Sequence, residues 1–149
     1  MNRRQWLRTT LRLGAAAAVL MSPLRVLASI REGFDAVTLD DALKSVLGNL
    51  PVEESDAIKF KIPDIAENGA VVPVSVSTEI EGVTAINIVI ENNPNPLTSR
   101  FEISPLVAAD VSTRVKMGQS SFVRVYVETA DKIYTTGKEV KVTIGGCGG

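Results

Sequence analysis

The chain has 149 residues, 45% hydrophobic and 22% charged, with a formal net charge of −1, one Cys, one Trp and no His. Without His there is no Ser-His-Asp triad, no Cys-His pair and no imidazole metal ligand; with one Cys there is no intrachain disulfide, CxxC redox pair or thiolate zinc cluster. The length allows one domain of ordinary size, and no apolar run approaches the ~18 residues of a membrane helix.

Residues 1–28 have the layout of an export signal. Asn2-Arg3-Arg4-Gln5-Trp6-Leu7-Arg8 is a basic head, residues 13–24 are weakly apolar, and Val26-Leu27-Ala28 supplies small residues for cleavage. The adjacent pair Arg3 and Arg4, the following Trp6-Leu7, and Arg25 near the cut match a twin-arginine (Tat) signal. Cleavage after Ala28 places the protein in the periplasm without a membrane anchor. The mature chain then has 121 residues. The signal carries five arginines and no acid, so 11 basic and 17 acidic side chains remain, a net charge of −6. That balance argues against nucleic acid, which demands a basic stripe. Tat substrates travel folded, either to hold a cofactor or to carry a bound partner. The sequence offers no means of holding a cofactor; a partner bound before export is another reason to fold first.

Residues 38–50 read as the only helix of the mature chain. Thr38 caps it, with Asp41 at the third helical position. Leu39, Leu43, Val46, Leu47 and Leu50 form one apolar stripe, and Pro51 stops the helix. After Pro51 the period changes to 2, in runs through Ile58, Val74, Ile88, Phe101, Val111, Val125 and Val142. Each run is expected to bury one face. Turn signals separate them: Glu67-Asn68-Gly69, Glu81-Gly82, Asn92 to Pro96, Met117-Gly118-Gln119 and Thr135-Thr136-Gly137. Pro73 inside a run predicts an edge strand. The pattern predicts an all-β fold: an immunoglobulin-like antiparallel β-sandwich of about seven strands with one N-terminal helix. The domain spans residues 29–144, and a flexible C-terminal arm follows over residues 145–149.

That arm reads Gly145-Gly146-Cys147-Gly148-Gly149 and holds four of the eleven glycines around the single Cys. Nothing next to Cys147 in sequence can bury it, and glycine gives the backbone its widest freedom. At ~3.3–3.6 Å per residue the arm carries Cys147 about 10 Å past the last strand, far enough to enter a cleft in another protein. An exposed thiol in an oxidising compartment is a liability unless it has a use. Three uses fit: a thiol that carries a covalently bound small substrate between enzymes, a staple that dimerises an exported Ig-like structural module, and a redox sensor. The sensor lacks a resolving cysteine. As a carrier, the chain has no base on its arm and depends on partners for catalytic groups.

The pentapeptide around Cys147 resembles the carrier arm of the SoxY family, the sulfur-carrying subunit of the bacterial sulfur-oxidation (Sox) system. The twin-arginine signal, the segment from Ala66 to Val74 and the segment from Asn93 to Leu97 agree with it. The resemblance implies a periplasmic carrier, not itself an enzyme, that holds thiosulfate-derived sulfur on Cys147 as Gly145, Gly146, Gly148 and Gly149 supply reach and clearance. It implies a heterodimer with a SoxZ-like Ig-fold subunit. It implies visits to a haem c enzyme, SoxAX, which couples thiosulfate to the thiol. Visits follow to a SoxB hydrolase, which releases sulfate, and in some organisms to the sulfane dehydrogenase SoxCD. No cofactor or metal is implied for this chain. The segments at Asn68 and Asn93 fit structural turns at least as well as any functional role.

Overall fold

The structure, a computed structural model, describes residues 30–143. Residues 30–35 are helical (α1), and α2 runs over Leu39–Leu47. Nine strands follow: β1 Val52–Glu54, β2 Ile58–Lys61, β3 Ile65–Ala66, β4 Val72–Thr78, β5 Ala85–Ile90, β6 Leu97–Glu102, β7 Asp110–Val115, β8 Ser121–Glu128 and β9 Ile133–Val142. One sheet has the order β1-β9-β8-β5-β6, with β3 also on β9, and the other has the order β2-β4-β7. The sandwich expected from the period-2 runs is therefore present.

The two sheets close on a core of β-branched side chains, among them Val72, Val74, Val76, Ile86, Ile88, Ile90, Val123, Val125 and Val140. Branching at Cβ suits a pleated, packed surface. Each such side chain contributes about 1.5–3 kcal/mol by leaving water.

The α2 prediction holds at its start. The Thr38 Oγ1 accepts a hydrogen bond from the Asp41 N–H at 3.2 Å and donates to the Asp41 carboxylate at 2.7 Å. The carboxylate bonds the capping hydroxyl and not the Thr38 amide, so this is a variant of the capping box. The helix ends earlier than expected. Gly48 takes φ 61 and donates to the Lys44 carbonyl, which leaves Leu50 outside the helix and 38% exposed.

Five other expectations are corrected. First, α2 is not the only helix, because α1 precedes it. Gly33 of α1 sits so close to Val46 and Leu97 that a β-carbon there would lie 2.8 Å and 3.2 Å from their methyls. Second, the strands are not all half-buried. Every residue of β5 is buried, because α2 lies on the outer face of the large sheet and packs Ala42 and Leu47 with Val89, Leu97, Tyr126 and Ile133. Third, the strands are not all antiparallel: β1 and β3 both add to β9 in parallel.

Fourth, Thr135-Thr136-Gly137 is no turn. All three residues lie inside β9, and Gly137 pairs with Arg124. A β-carbon at Gly137 would collide with the Phe122 ring and lie 3.0 Å from the Val123 carbonyl oxygen, so close approach and not chain reversal explains this glycine. Fifth, Pro73 lies in β4, the central strand of its sheet. It pairs with Arg114 of β7, whereas β2 pairs only with Ser75 to Thr78. The missing N–H is tolerated where β2 has already ended.

Candidate functional site

The sequence-derived site residues Gly145, Gly146, Cys147, Gly148 and Gly149 lie outside the described residues, as do Arg3 and Arg4. The structure does show the root from which the Cys147 segment departs, and that root is tightly built.

The end of β9 is held on both flanks. On one side β3 pairs Ile65 with Lys141 and Ala66 with Val142. The Lys141 N–H donates to the Asp64 carbonyl at 2.9 Å and the Thr143 N–H to the Ala66 carbonyl at 3.0 Å. On the other side the Val142 N–H donates to Ser120 Oγ at 2.9 Å. Hydrogen bonds on both flanks hold Val142 and Thr143, the last described residues, in place.

Three loops gather around this exit. In the β3–β4 loop, Asn68 Oδ1 accepts the Ala70 N–H at 2.9 Å, a side-chain turn that asparagine makes readily. Gly69 then meets the loop after β7: its carbonyl accepts the Met117 N–H at 2.7 Å. A β-carbon at Gly69 would collide with the Met117 carbonyl oxygen and stand 2.9 Å from a Val142 methyl. From the β5–β6 loop, Asn93 donates to the Lys116 carbonyl at 2.8 Å and accepts the Gly118 N–H at 3.1 Å. Its neighbour Asn92 donates to the Ser120 carbonyl at 3.0 Å, and the Asn92 carbonyl accepts from the Gln119 side chain at 3.1 Å. Asn68 and Asn93 are thus structural, consistent with the turn reading. Sequence reasoning did not single out Asn92, Ser120 or Gly69 as partners of the exit. The turn signals were visible, but which turns would meet was not.

A groove of about 350 Å³ runs beside the exit, lined by Pro63, Ile65, Glu67, Asn68, Val71 and Pro73 among others. Ile65 is 56% and Val71 50% exposed. Among the described residues no group of three or more His, Cys, Asp or Glu could hold a metal ion.

Two ion pairs mark the outer face of the large sheet. Arg124 donates to Glu91 at 2.8 Å and covers the Phe122 ring at 4.6 Å from its centre. The hydrogen bond to Glu91 raises the guanidinium above its ordinary value against the opposing effect of burial. Toward the opposite end of the sandwich, Arg100 is bidentate on Glu128, with the Nη2 contact at 3.2 Å. Buried Asn87 donates to the same carboxylate at 2.6 Å. The Arg100 Nε has no hydrogen-bond partner among the described residues. Neither pair lines the groove beside the exit. The candidate site is therefore the exit of β9 and the segment it carries.

The family model for "Sulfur oxidation protein SoxY" matches residues 43–147, which includes Cys147. Among solved structures, the sulfur carrier protein SoxY from Chlorobium limicola f. thiosulfatophilum is similar, with 44% identity and a TM-score of 0.65 over 72% of this chain and 97% of that one. A superoxide reductase (neelaredoxin) from Ignicoccus hospitalis shares the fold alone, with 20% identity and a TM-score of 0.52 over 58% of this chain and 80% of that one. No curated protein matches the chain. The match across more than two-thirds of the sequence, through the glycine-flanked cysteine, shows that the chain belongs to the SoxY family, the sulfur carriers of sulfur oxidation.

Proposed function

We propose that this chain carries sulfur covalently on Cys147 and is not itself an enzyme. The observation that supports this reading most is that family likeness extends over the described sandwich and runs on to Cys147. The geometry of the root is compatible with it. The chain leaves β9 from a fixed point, and the single thiol lies four residues beyond Thr143.

The chemistry needs little from this chain beyond the thiol and its placement. In the loading step the thiol and thiosulfate form a sulfur–sulfur bond, with loss of the thiol proton and two electrons. The electrons pass to an external haem c enzyme of the SoxAX type. Water then cleaves the bond between the outer sulfane sulfur and the sulfonate on a SoxB-type hydrolase. Sulfate leaves, and a persulfide stays on Cys147. A SoxCD-type dehydrogenase would oxidise that remaining sulfur where present. Tethered substrate meets each enzyme at a high effective concentration. Glycines on both sides of Cys147 let a bare backbone pass where side chains would not.

In this proposal residues 1–28 are a Tat signal, residues 29–144 the carrier domain and residues 145–149 the arm, and the protein works in the periplasm. An Ig-fold, SoxZ-type subunit accompanies it. Exposed apolar side chains such as Leu106 and Val107, 94% and 63% exposed, supply surface for such a partner.

The test is the intact mass of protein exported by its native host on thiosulfate, before and after reductant. Sulfur adducts that map to Cys147 and vanish with reductant are expected. Cys147→Ser should abolish thiosulfate-dependent turnover in the reconstituted system without changing the unfolding midpoint. A clean or purely dimeric species, or retained turnover, would overturn the proposal.

A further inference from the structure

The charges of the domain are segregated between the two ends of its strands, and register shows how. The exit of β9 lies at the end where β2 finishes, β4 begins and β7 finishes, because Val72 pairs with Val115, and Gly69 bonds Met117. Lys61 ends β2 opposite Ser75. Arg114 pairs with Pro73 near the end of β7, and Lys116 follows that strand. Lys141 stands opposite Ile65 in the last turn of ladder before the exit. All four are exposed and have no ion-pair partner among the described residues.

Two further cations at this end are engaged: Lys138 with Asp64, and Arg124 with Glu91. Beside β9 and β4 the remaining acids are the exposed Glu67 and Glu139; Glu32 and Asp35, with Arg31, lie farther off, on the α1 segment packed by Leu97 and Asn95. Six cations therefore face four carboxylates around the exit. The opposite end is reversed: its cations Lys59, Arg100 and Lys132 are each paired with an acid, and further acids are unpaired among the described residues. Exposed Glu79 and Glu81 follow β4, Glu102 ends β6, Asp110 starts β7 and Asp131 lies between β8 and β9. A mature domain of net charge −6 is thus locally positive where the thiol segment emerges.

We propose that this collar of cations docks the carrier onto acidic protein surface at the rim of its enzymes' active sites. The proposal rests on the carrier reading of Cys147 and adds the chemistry of the partner surface. Lys61, Arg114 and Lys116 belong to the end of the small sheet, and Lys141 to β9 of the large sheet. Exposed charges spread over both sheets fit an extended acidic rim and not a single small anion. Dispersed charge of this kind orients approach and raises association rates by about 10–1,000-fold at low salt. The Debye length at 0.1 M salt is about 10 Å, comparable with the upper limit of ~14 Å that any four residues can span. The collar therefore acts over the distance that the thiol must cross, and its polarity turns the thiol-bearing end toward the enzyme.

The experiment measures kcat/KM for thiosulfate conjugation to the full mature carrier by its haem c enzyme, as a function of NaCl. It compares the unaltered chain with Lys61→Glu/Arg114→Glu/Lys116→Glu and with Lys44→Glu/Lys59→Glu/Lys132→Glu. The second triple changes net charge equally and lies farther from the exit, with Lys59 toward the opposite end of β2 and Lys132 before the start of β9. The collar triple is expected to lose about tenfold at low salt, with the gap closing at high salt. The distant triple should lose less than twofold. Reaction of Cys147 with a small neutral disulfide must stay the same in all three, which separates docking from unfolding or altered thiol chemistry. Equal losses in both triples, or none in either, would overturn the collar. Absence of any conjugation in the unaltered chain would instead overturn the carrier reading itself.

Discussion

Gly69→Ala tests whether the exit of β9 is as tightly built as its hydrogen bonds imply. Gly69 does not have a positive φ, so alanine meets no backbone penalty there. The cost is purely steric. The new methyl would collide with the Met117 carbonyl oxygen and lie 2.9 Å from a Val142 methyl. The carbonyl cannot retreat without lengthening the 2.7 Å bond from the Met117 N–H to Gly69. Overpacking of this kind costs about 1–3 kcal/mol, and a lost hydrogen bond about 1 kcal/mol more. The sum is ~2–4 kcal/mol, read as a lower urea midpoint with an unchanged slope. Hydrogen exchange should accelerate first at the Val142 and Thr143 amides, which hold the exit. Gly82→Ala is the control: Gly82 has φ 71 with no atom within 4 Å of a β-carbon, so it should cost only ~1–2 kcal/mol through backbone strain and leave those amides unchanged. If Gly69→Ala leaves the midpoint unmoved, the close approach of the three loops to β9 is wrong.

Three further outcomes follow from the interior. Arg100→Leu should destabilise by about 3–5 kcal/mol, since it strands the Glu128 carboxylate with only Asn87 beside it; adding Glu128→Leu should recover part of that loss in denaturant titrations. Gly137→Val should cost about 1–3 kcal/mol through collision with Phe122, and a Phe122→Leu background should reduce that cost, measured as a coupling in a double-mutant cycle. Burial raises the Tyr126 phenol above its ordinary 10.0, against a smaller lowering by Arg124. The unfolded chain then releases that proton first, so folding stability falls as pH rises past 10.0 and continues to fall through the higher folded value. Tyr126→Phe should flatten the alkaline limb of a stability–pH profile, where one such group contributes at most ~1.4 kcal/mol per pH unit; an identical limb would show that another group controls it.

Much of the architecture was legible in the sequence because it depends on local rules. The Thr38–Asp41 cap, the change from period 3.6 to period 2, and the glycines at 82 and 118 each need only neighbouring residues to be understood. What local rules could not supply was proximity between distant segments. Gly137 looked like a turn because its reason for being glycine is the Phe122 ring on the adjacent strand. Ile86 to Ile90 looked half-buried because the helix on its outer face, Leu39–Leu47, comes from about forty positions earlier in the chain. Pro73 looked like an edge residue because sequence does not show that β2 stops short of it. The cations at 61, 114, 116 and 141 are scattered in sequence and carry no pattern. Only antiparallel pairing, by folding their strand ends to one pole, gathers them around the point where the thiol segment begins.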